Sequence, residues 1–174
     1  MAPRNDSYKF GSIVRIKLID FVTYDDVEFR PGPHLNVVIG PNGTGKSSLV
    51  CAICLGLSGP PALLGRGSKV SDYVKHKKDK AIIEIELKGN KRNTIVQRTI
   101  YTDDRSDWKL NGKTASKKEV KTAVTSYNIQ LDNLCQFLPQ DKVTNFAKSS
   151  ATDLLHLTQD MVGTEDMLEV FLTC

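Results

Sequence analysis

Residues 40–47 read Gly-Pro-Asn-Gly-Thr-Gly-Lys-Ser, so two glycines frame a short loop that ends in a lysine and a serine. The run fits the pattern G-x-x-x-x-G-K-[ST] at every position. Glycines let successive backbone N–H groups turn inward around an anion, and the lysine adds a full positive charge. These residue types at this spacing predict a loop that binds the phosphates of a nucleoside triphosphate.

Within this loop, Lys46 is expected to reach the β- and γ-phosphates, and the Ser47 hydroxyl is the expected Mg²⁺ ligand. The helix that follows would point the positive end of its dipole at the same anion. The alternative is a glycine-rich turn that binds nothing. The predicted binding residues are Gly40, Pro41, Asn42, Gly43, Thr44, Gly45, Lys46, Ser47 and Ser48.

The segments on either side of the loop have the context that the motif requires. Residues 34–39 are a short apolar run, which predicts a buried parallel strand. Residues 47–57 are apolar nearly all round, which predicts a helix of three turns enclosed by sheet on several sides. The helix carries Cys51 and Cys54. Because no second cysteine or histidine pair exists to complete a zinc site, we expect both to pack as small buried side chains.

The bulk composition sets wide bounds. A chain of 174 residues is long enough for one core, and its net charge of +4 permits a nucleic-acid partner without requiring one. No apolar run approaches the ~18 residues of a membrane-spanning helix, and the polar start lacks the apolar region of a secretory signal. We expect a reduced, intracellular protein with no membrane partner.

Alternating polar and apolar residues predict several strands. Residues 12–21 and 23–29 predict two, with Asp25 and Asp26 at the turn, and together with residues 34–39 they are expected to form a small mixed sheet.

A second group of strands is expected to form an antiparallel lobe over residues 80–115. Residues 81–88 and 93–102 predict one hairpin, and Asn-Gly after residues 108–110 predicts a further one. Trp108 is expected to be a packing residue there.

Helices dominate the rest of the chain. Ser116 and Glu119 form a capping-box pattern that opens a helix. Residues 133–138 predict a strand that returns to the core. Two further helices are predicted over residues 142–148 and 150–161.

A lysine-rich segment and a single arginine each allow two interpretations. Residues 75–80 hold four lysines and a histidine, and they predict either a solvated turn or a contact to a DNA backbone. Arg66 stands alone in a neutral, glycine-bounded loop. We expect its side chain either to be solvated or to contact a phosphate or a partner.

Hydrolysis needs more than a phosphate loop. A carboxylate must hold Mg²⁺ from the end of a second core strand, and another group must polarise the water. The nearest match is the Ile-Ile-Glu run at residues 82–84, but it lies in an alternating strand of the predicted lobe. We therefore expect an incomplete active site, with the missing parts coming from another segment or subunit.

Four blocks of the chain resemble the N-terminal half of the ATPase head in structural maintenance of chromosomes (SMC) proteins. They are residues 20–24, 41–48, 51–56 and 133–143. The last block is the most discriminating, because cohesin and condensin subunits carry Gln-Gly where this chain has Gln140-Asp141. The similarity covers about residues 10–163.

The resemblance implies an α/β fold of the P-loop NTPase class, an ABC/SMC-type head half-domain with an antiparallel β lobe. It divides the chain into a polar N-terminal tail at residues 1–10, the head half at residues 11–163 and an atypical tail at residues 164–174. The family pattern continues from about Lys148 into a coiled coil, which the final tail does not match. We expect a truncated product, an alternative terminus or a partial gene model.

The resemblance also implies site roles. Lys46 would bind ATP, and Ser47 with Gln140 would hold Mg²⁺. Gln140 matches the family's Q-loop glutamine, which contacts Mg²⁺ and the attacking water, and Gln136 is the second choice. Arg66 falls where the family places an arginine that reads the partner head or DNA.

For the whole protein, the resemblance implies ATP-gated engagement of two heads around DNA. The implied partners are structural maintenance of chromosomes protein 6, non-SMC element subunits and DNA. The implied role is recombinational repair of DNA double-strand breaks on chromosomes in the nucleus. In the family, the acidic strand and the signature motif come from the C-terminal half, so little ATP turnover is expected from this chain alone. Two other functions stay open: a small complete P-loop enzyme such as a kinase, and a non-catalytic module that competes for partner heads or DNA.

Overall fold

The computed structural model describes residues 8–65 and 69–162. Six strands form one sheet in the order β2-β1-β3-β4-β5-β6, and every neighbouring pair is antiparallel. The strands are β1 (Ile13–Phe21), β2 (Tyr24–Phe29), β3 (Lys80–Leu87), β4 (Thr94–Tyr101), β5 (Ser106–Leu110) and β6 (Lys113–Ala115). The strands predicted between residues 80 and 115 therefore continue the sheet of β1 and β2, with β3 pairing directly with β1, and the expected mixed sheet is wrong.

Within the described ranges, four α-helices accompany the sheet. They are α1 (Lys46–Gly56), α2 (Lys117–Thr125), α3 (Val143–Ala147) and α4 (Ala151–Val162). Short 3₁₀ turns occupy Pro61–Leu64, Val70–Tyr73 and Gln140–Lys142. No helix in the described ranges is long and apolar enough to cross a membrane.

The core lies between α1 and one face of the sheet. Ile83 and Ile85 of β3 and Leu55 of α1 are fully buried there. The helix lies so close to the strand that a Cβ at Gly56 would stand 2.6 Å from Cδ1 of Ile85. As expected, Trp108 is buried in this core. The burial of α1 against the sheet fixes the direction of its N-terminus, which begins at the phosphate loop.

The opposite face of the sheet is polar. Arg15 of β1 forms ion pairs with Glu84, with Glu86 at 3.1 Å and with Glu28 at 3.5 Å. Asn93 donates a 2.7 Å hydrogen bond to Glu86. This alternation of apolar and polar faces is the pattern that predicted the strands.

The helix starts follow the capping pattern. The Ser116 hydroxyl accepts a hydrogen bond from the Glu119 N–H at 3.2 Å, and the Glu119 carboxylate accepts one from the Ser116 N–H at 2.6 Å. At the start of α4, Ser150 and Asp153 exchange the same two bonds. The predicted cap of α2 is therefore confirmed.

The first hairpin turns earlier than predicted. Val22 and Thr23 form the turn, whereas Asp25 and Asp26 lie inside β2. Phe21 is buried and pairs with Tyr24 across the turn, which leaves room for only two residues in the loop. The two aspartates instead face lysines, and Lys75 lies 2.6 Å from Asp25.

Two predicted strands are absent from the described residues. Residues 34–39 lie in irregular backbone, because no described strand stands beside them to complete a parallel ladder. Residues 134–136 form a turn, and residues 133, 137 and 138 lie in irregular backbone. There the Asn133 carbonyl accepts hydrogen bonds from the N–H groups of Gln136 and Phe137, so these backbone groups are satisfied locally.

Candidate nucleotide-binding site

The phosphate loop turns sharply into α1 at Gly45. This residue has φ 95°, in the left-handed region that favours glycine. A Cβ here would lie 2.6 Å from Oη of Tyr24 and 2.8 Å from Oγ1 of Thr23. Both the backbone conformation and the close approach of the β1–β2 turn therefore require glycine at this position.

Tyr24 is a support of the loop that the sequence pattern did not reveal. Its hydroxyl donates a 3.0 Å hydrogen bond to the carbonyl oxygen of Gly45. Burial raises the pKa of Tyr24, so the hydroxyl remains a neutral donor at physiological pH. The β1–β2 turn thereby fixes the end of the loop against the sheet.

Lys46 folds its ammonium group over the loop. Nζ donates hydrogen bonds of 2.6 Å to the carbonyl oxygens of Gly40 and Pro41. The Thr44 hydroxyl also donates to the Pro41 carbonyl, at 2.9 Å. These contacts hold the positive charge at the mouth of the loop, where an anion would meet it.

The N-terminus of α1 has free hydrogen-bonding capacity. No side chain caps it, and its first turn contains no acidic residue. The first N–H groups of a helix have no partner within the helix and carry its positive dipole end. Ser47 is half-buried in this first turn, and Ser48 is buried behind it. The geometry suits a phosphate group.

An open cavity of about 1010 Å³ adjoins the loop and brings two distant segments together. Lys46 and Ser47 line it from the loop, while Gln140 and Asp141 line it from the 3₁₀ turn Gln140–Lys142. Among the described residues that line it, Asp141 is the one carboxylate. Sequence reasoning gave Asp141 no role in the site, because its approach to the loop depends on tertiary packing.

The two candidate glutamines differ in their surroundings. Gln140 is exposed and faces this cavity. Gln136 is not part of the lining, and its Oε1 accepts a 2.9 Å hydrogen bond from the Gln130 N–H. Gln140 therefore shares the cavity with Ser47, and Gln136 does not.

The remaining predicted residues lie elsewhere. Arg66 is outside the described residues. Within residues 75–80, Lys75 pairs with Asp25 at 2.6 Å and Lys78 pairs with Asp20 at 3.2 Å. These ion pairs fit the solvated turn, while the possible contact to DNA stays a prediction.

The cysteines of α1 are packing residues. Cys51 and Cys54 are both buried, and burial raises the pKa of the Cys54 thiol to about 12. Such a thiol stays protonated at neutral pH and is a poor nucleophile or metal ligand. No group of three or more metal-ligating side chains occurs within the described parts of the chain.

An apolar strip leads into the loop on the open side of the cavity. We use the name leading strip for residues 34–39. Its side chains are exposed by 90% at Leu35, 68% at Val37, 52% at Val38 and 88% at Ile39. Asn36 holds the strip by donating hydrogen bonds to the carbonyls of Gly32 and His34. An exposed apolar run of this kind marks a surface that another element covers.

Comparisons with known proteins identify the family of the chain. A family model described as an AAA domain matches residues 15–170. Structural maintenance of chromosomes protein 5 of Arabidopsis thaliana is 48% identical over 160 residues, which is 91% of this chain and 15% of that protein. The chain thus spans less than a fifth of the length of this relative.

Solved structures show the same architecture. An SMC ATPase structure, from work on ATP-driven dimerization and DNA-stimulated activation, has a TM-score of 0.74 and 26% identity, covering 86% of this chain and 98% of that one. An SMC head bound to the C-winged helix domain of ScpA has a TM-score of 0.76 and 27% identity, covering 88% of this chain and 52% of that one. The chain therefore belongs to the AAA-domain family, as an N-terminal segment of an SMC-type ATPase head that is homologous to structural maintenance of chromosomes protein 5.

Proposed function

We propose that this chain binds Mg²⁺-ATP as the N-terminal head segment of a protein of the structural maintenance of chromosomes protein 5 type. One observation carries the proposal: Lys46 and the uncapped N-terminus of α1 converge on one loop. The fold implies nucleotide binding. ATP is the nucleotide that the resemblance to SMC ATPases supports.

The chain's own residues would contact the phosphates, the metal and the water. The Lys46 ammonium would exchange the carbonyls of Gly40 and Pro41 for phosphate oxygens. Ser47 and Gln140 supply neutral oxygens on the same cavity, which suit Mg²⁺. When bound, Mg²⁺ would neutralise charge on the phosphates. Gln140 would then orient the attacking water.

We also propose that a second protein segment completes the site. The leading strip is exposed along its apolar side chains, and Asp141 is the one carboxylate among the described residues of the cavity wall. Strands from the C-terminal half of the same type of head would cover the strip and bring the missing acid. Until they do, the chain is expected to bind ATP without turning it over.

The completed head would engage a partner head around DNA. Support comes from the solved SMC ATPase structure that concerns ATP-driven dimerization and DNA-stimulated activation, and from the head that binds a ScpA domain. The proposed partners are structural maintenance of chromosomes protein 6, non-SMC element subunits and DNA. The proposed role is recombinational repair on nuclear chromosomes, and the similarity to structural maintenance of chromosomes protein 5 of Arabidopsis thaliana supports the link to chromosomes.

Binding of a fluorescent ATP analogue to the purified chain, with and without Mg²⁺, tests the first step. Lys46→Ala should weaken the affinity at least tenfold, because a charge-assisted contact to phosphate is lost. Lys117→Ala is the matched control, since Lys117 is exposed on α2. Adding the C-terminal head segment of a relative should produce turnover. Absence of binding would overturn the proposal, and turnover by the chain alone would overturn the split site.

Among the described residues, no strand brings a carboxylate to the cavity beside the loop, and this also favours a second candidate, a non-catalytic module that competes for partner heads or DNA. A pull-down of a purified partner head that is lost with Lys46→Ala would support that candidate. No association with heads or DNA would exclude it. A stand-alone kinase is the weaker alternative, because Asp141, the one carboxylate among the described residues of the cavity wall, lies in a short 3₁₀ turn and not at the end of a core strand.

A further inference from the structure

The turn that carries Gln140 rests on the backbone of a distant glycine. Asp141, the next residue, packs its carboxylate against Gly65. A Cβ placed at Gly65 would stand 2.9 Å from Cγ and 3.1 Å from Cβ of Asp141, and closer still to Oδ2. There is no room for a methyl group between the two residues.

Gly65 is itself held by the core. It ends the 3₁₀ turn Pro61–Leu64 with φ 62° and ψ 4°, a left-handed conformation that favours glycine. Leu64, just before it, is 4% exposed. This 3₁₀ turn packs on α1, the helix that begins at the phosphate loop. The surface beneath Asp141 is therefore joined, through α1, to Lys46 and Ser47.

The Gln140 side chain makes no hydrogen bond to the described residues that would fix its position. Among the described residues, its side-chain amide has no hydrogen-bond partner, and its side chain is exposed to the cavity. The position of that amide must then follow from the backbone of the turn. Pro139 is buried on one side of Gln140, and Asp141 lies against Gly65 on the other.

We propose that Asp141 is a positioning residue, which sets the place of Gln140 relative to Ser47 by close packing on Gly65. The inference rests on the proposed binding of Mg²⁺-ATP, in which Ser47 and Gln140 hold the metal. The shape of the Asp141 side chain, and not its charge, performs this role, because its contact with the backbone of Gly65 fixes the turn. A direct metal contact by the Asp141 carboxylate is the competing role, and it depends on charge.

The test measures how much Mg²⁺ strengthens the affinity of the full 174-residue chain for a fluorescent ATP analogue. Gly65→Ala should reduce this gain roughly tenfold, because residues that orient metal ligands typically have effects of this size. Asp141→Gly should reduce it similarly. The double variant should be no worse than Asp141→Gly alone, because the clash at residue 65 is then gone. Asp141→Asn, which keeps the shape and removes the charge, should retain most of the gain.

Gly112→Ala is the matched control for backbone strain. Gly112 has φ 79° and nothing within 4 Å of the position of an added Cβ. Gly112→Ala should lose a little thermal stability, as Gly65→Ala should, because both replace a glycine of positive φ. Its affinity for the ATP analogue should still increase with Mg²⁺ as in the unsubstituted chain. If Gly65→Ala fails to fold, Asp141→Gly and Asp141→Asn alone still separate shape from charge.

Three results would overturn the inference while the unsubstituted chain binds Mg²⁺-ATP: an unchanged gain in Gly65→Ala and Asp141→Gly, additive effects in the double variant, or a loss in Asp141→Asn as large as in Asp141→Gly. If the unsubstituted chain binds no Mg²⁺-ATP, the proposed function fails and the inference fails with it. That outcome is read from the unsubstituted chain alone, so the two failures are distinguishable.

Discussion

Arg98 donates a 3.0 Å hydrogen bond from Nη1 to the carbonyl oxygen of Leu55, and so joins strand β4 to the C-terminal end of α1. Arg98 is 5% exposed, and its guanidinium lies 4.6 Å from the centroid of the Trp108 ring and donates two further hydrogen bonds to the Ser106 hydroxyl. Burial lowers the pKa of Arg98 to about 10, which leaves it charged at neutral pH. A cation here complements the negative end of the helix that binds phosphate at its other end.

Arg98→Met should destabilise the fold by about 1–3 kcal/mol, because the buried Leu55 carbonyl loses its side-chain donor. For a chain of this size, that corresponds to a fall in melting temperature of roughly 2–4 °C per kcal/mol. Differential scanning calorimetry measures it. Arg105→Met is the control, since Arg105 also stacks on a ring, that of Tyr101 at 5.1 Å, while its side chain is 72% exposed. Equal effects of the two substitutions would contradict the assignment of a buried anchor.

Gly45→Ala should abolish nucleotide binding, because the new Cβ meets Tyr24 and Thr23 and the backbone has φ 95°. Gly43→Ala provides the comparison within the same loop. Gly43 has φ 87° but nothing within 4 Å of an added Cβ, so only backbone strain of about 1 kcal/mol is expected. Titration with a fluorescent ATP analogue measures both. Similar losses of affinity would show that strain, and not the contact with the β1–β2 turn, decides the requirement for glycine.

Local signals explain which parts of the fold could be predicted. The phosphate loop, α1 and the capped start of α2 each depend on residues within a few positions of one another, and the structure has all of them. The hairpin of β3 and β4 likewise follows from alternation around a turn.

Long-range partners explain what could not be predicted. The pattern of residues 34–39 is that of a parallel strand, but a strand forms only when it pairs with another strand. None of the described strands lies beside residues 34–39. The support of Gly45 by Tyr24 and the packing of Asp141 on Gly65 join segments far apart in sequence, and neither leaves a pattern of spacing. The order of strands in the sheet could not be predicted for the same reason, because β1 and β3 pair although they are far apart in the sequence.

Stability should depend on pH through Glu86. The hydrogen bond from Asn93 lowers the pKa of Glu86 below its ordinary value of 4.5, and Arg15 adds to the effect. A carboxylate whose pKa is lowered in the folded state stabilises the fold at pH values above its ordinary pKa. This stabilisation is lost as the pH falls through the pKa of the folded state. Glu86→Gln should therefore flatten the loss of stability below about pH 4.5 in urea denaturation curves. Asn93→Ala should flatten it partly. An unchanged acid limb in both variants would contradict the assignment.

Ile39→Asp should separate folding from assembly. Ile39 is 88% exposed in the leading strip, so the charge replaces a side chain that makes little contact within this chain, and the melting temperature should change little. Association with the C-terminal head segment of a relative should be lost, because a buried, unpaired carboxylate would be placed in the completed sheet. Analytical ultracentrifugation of the mixture measures it.

Val162→Asp is the control for that experiment, because Val162 is an exposed apolar residue, 68% accessible, at the end of α4 and outside the cavity lining. It should leave association intact. If Ile39→Asp still associates with the C-terminal segment, the leading strip is not the surface that the second segment covers. If both variants lose association, general exposure of apolar surface, and not this strip, drives the assembly. Loss with Ile39→Asp alone assigns the missing strands to the side of the loop from which residues 34–39 enter it.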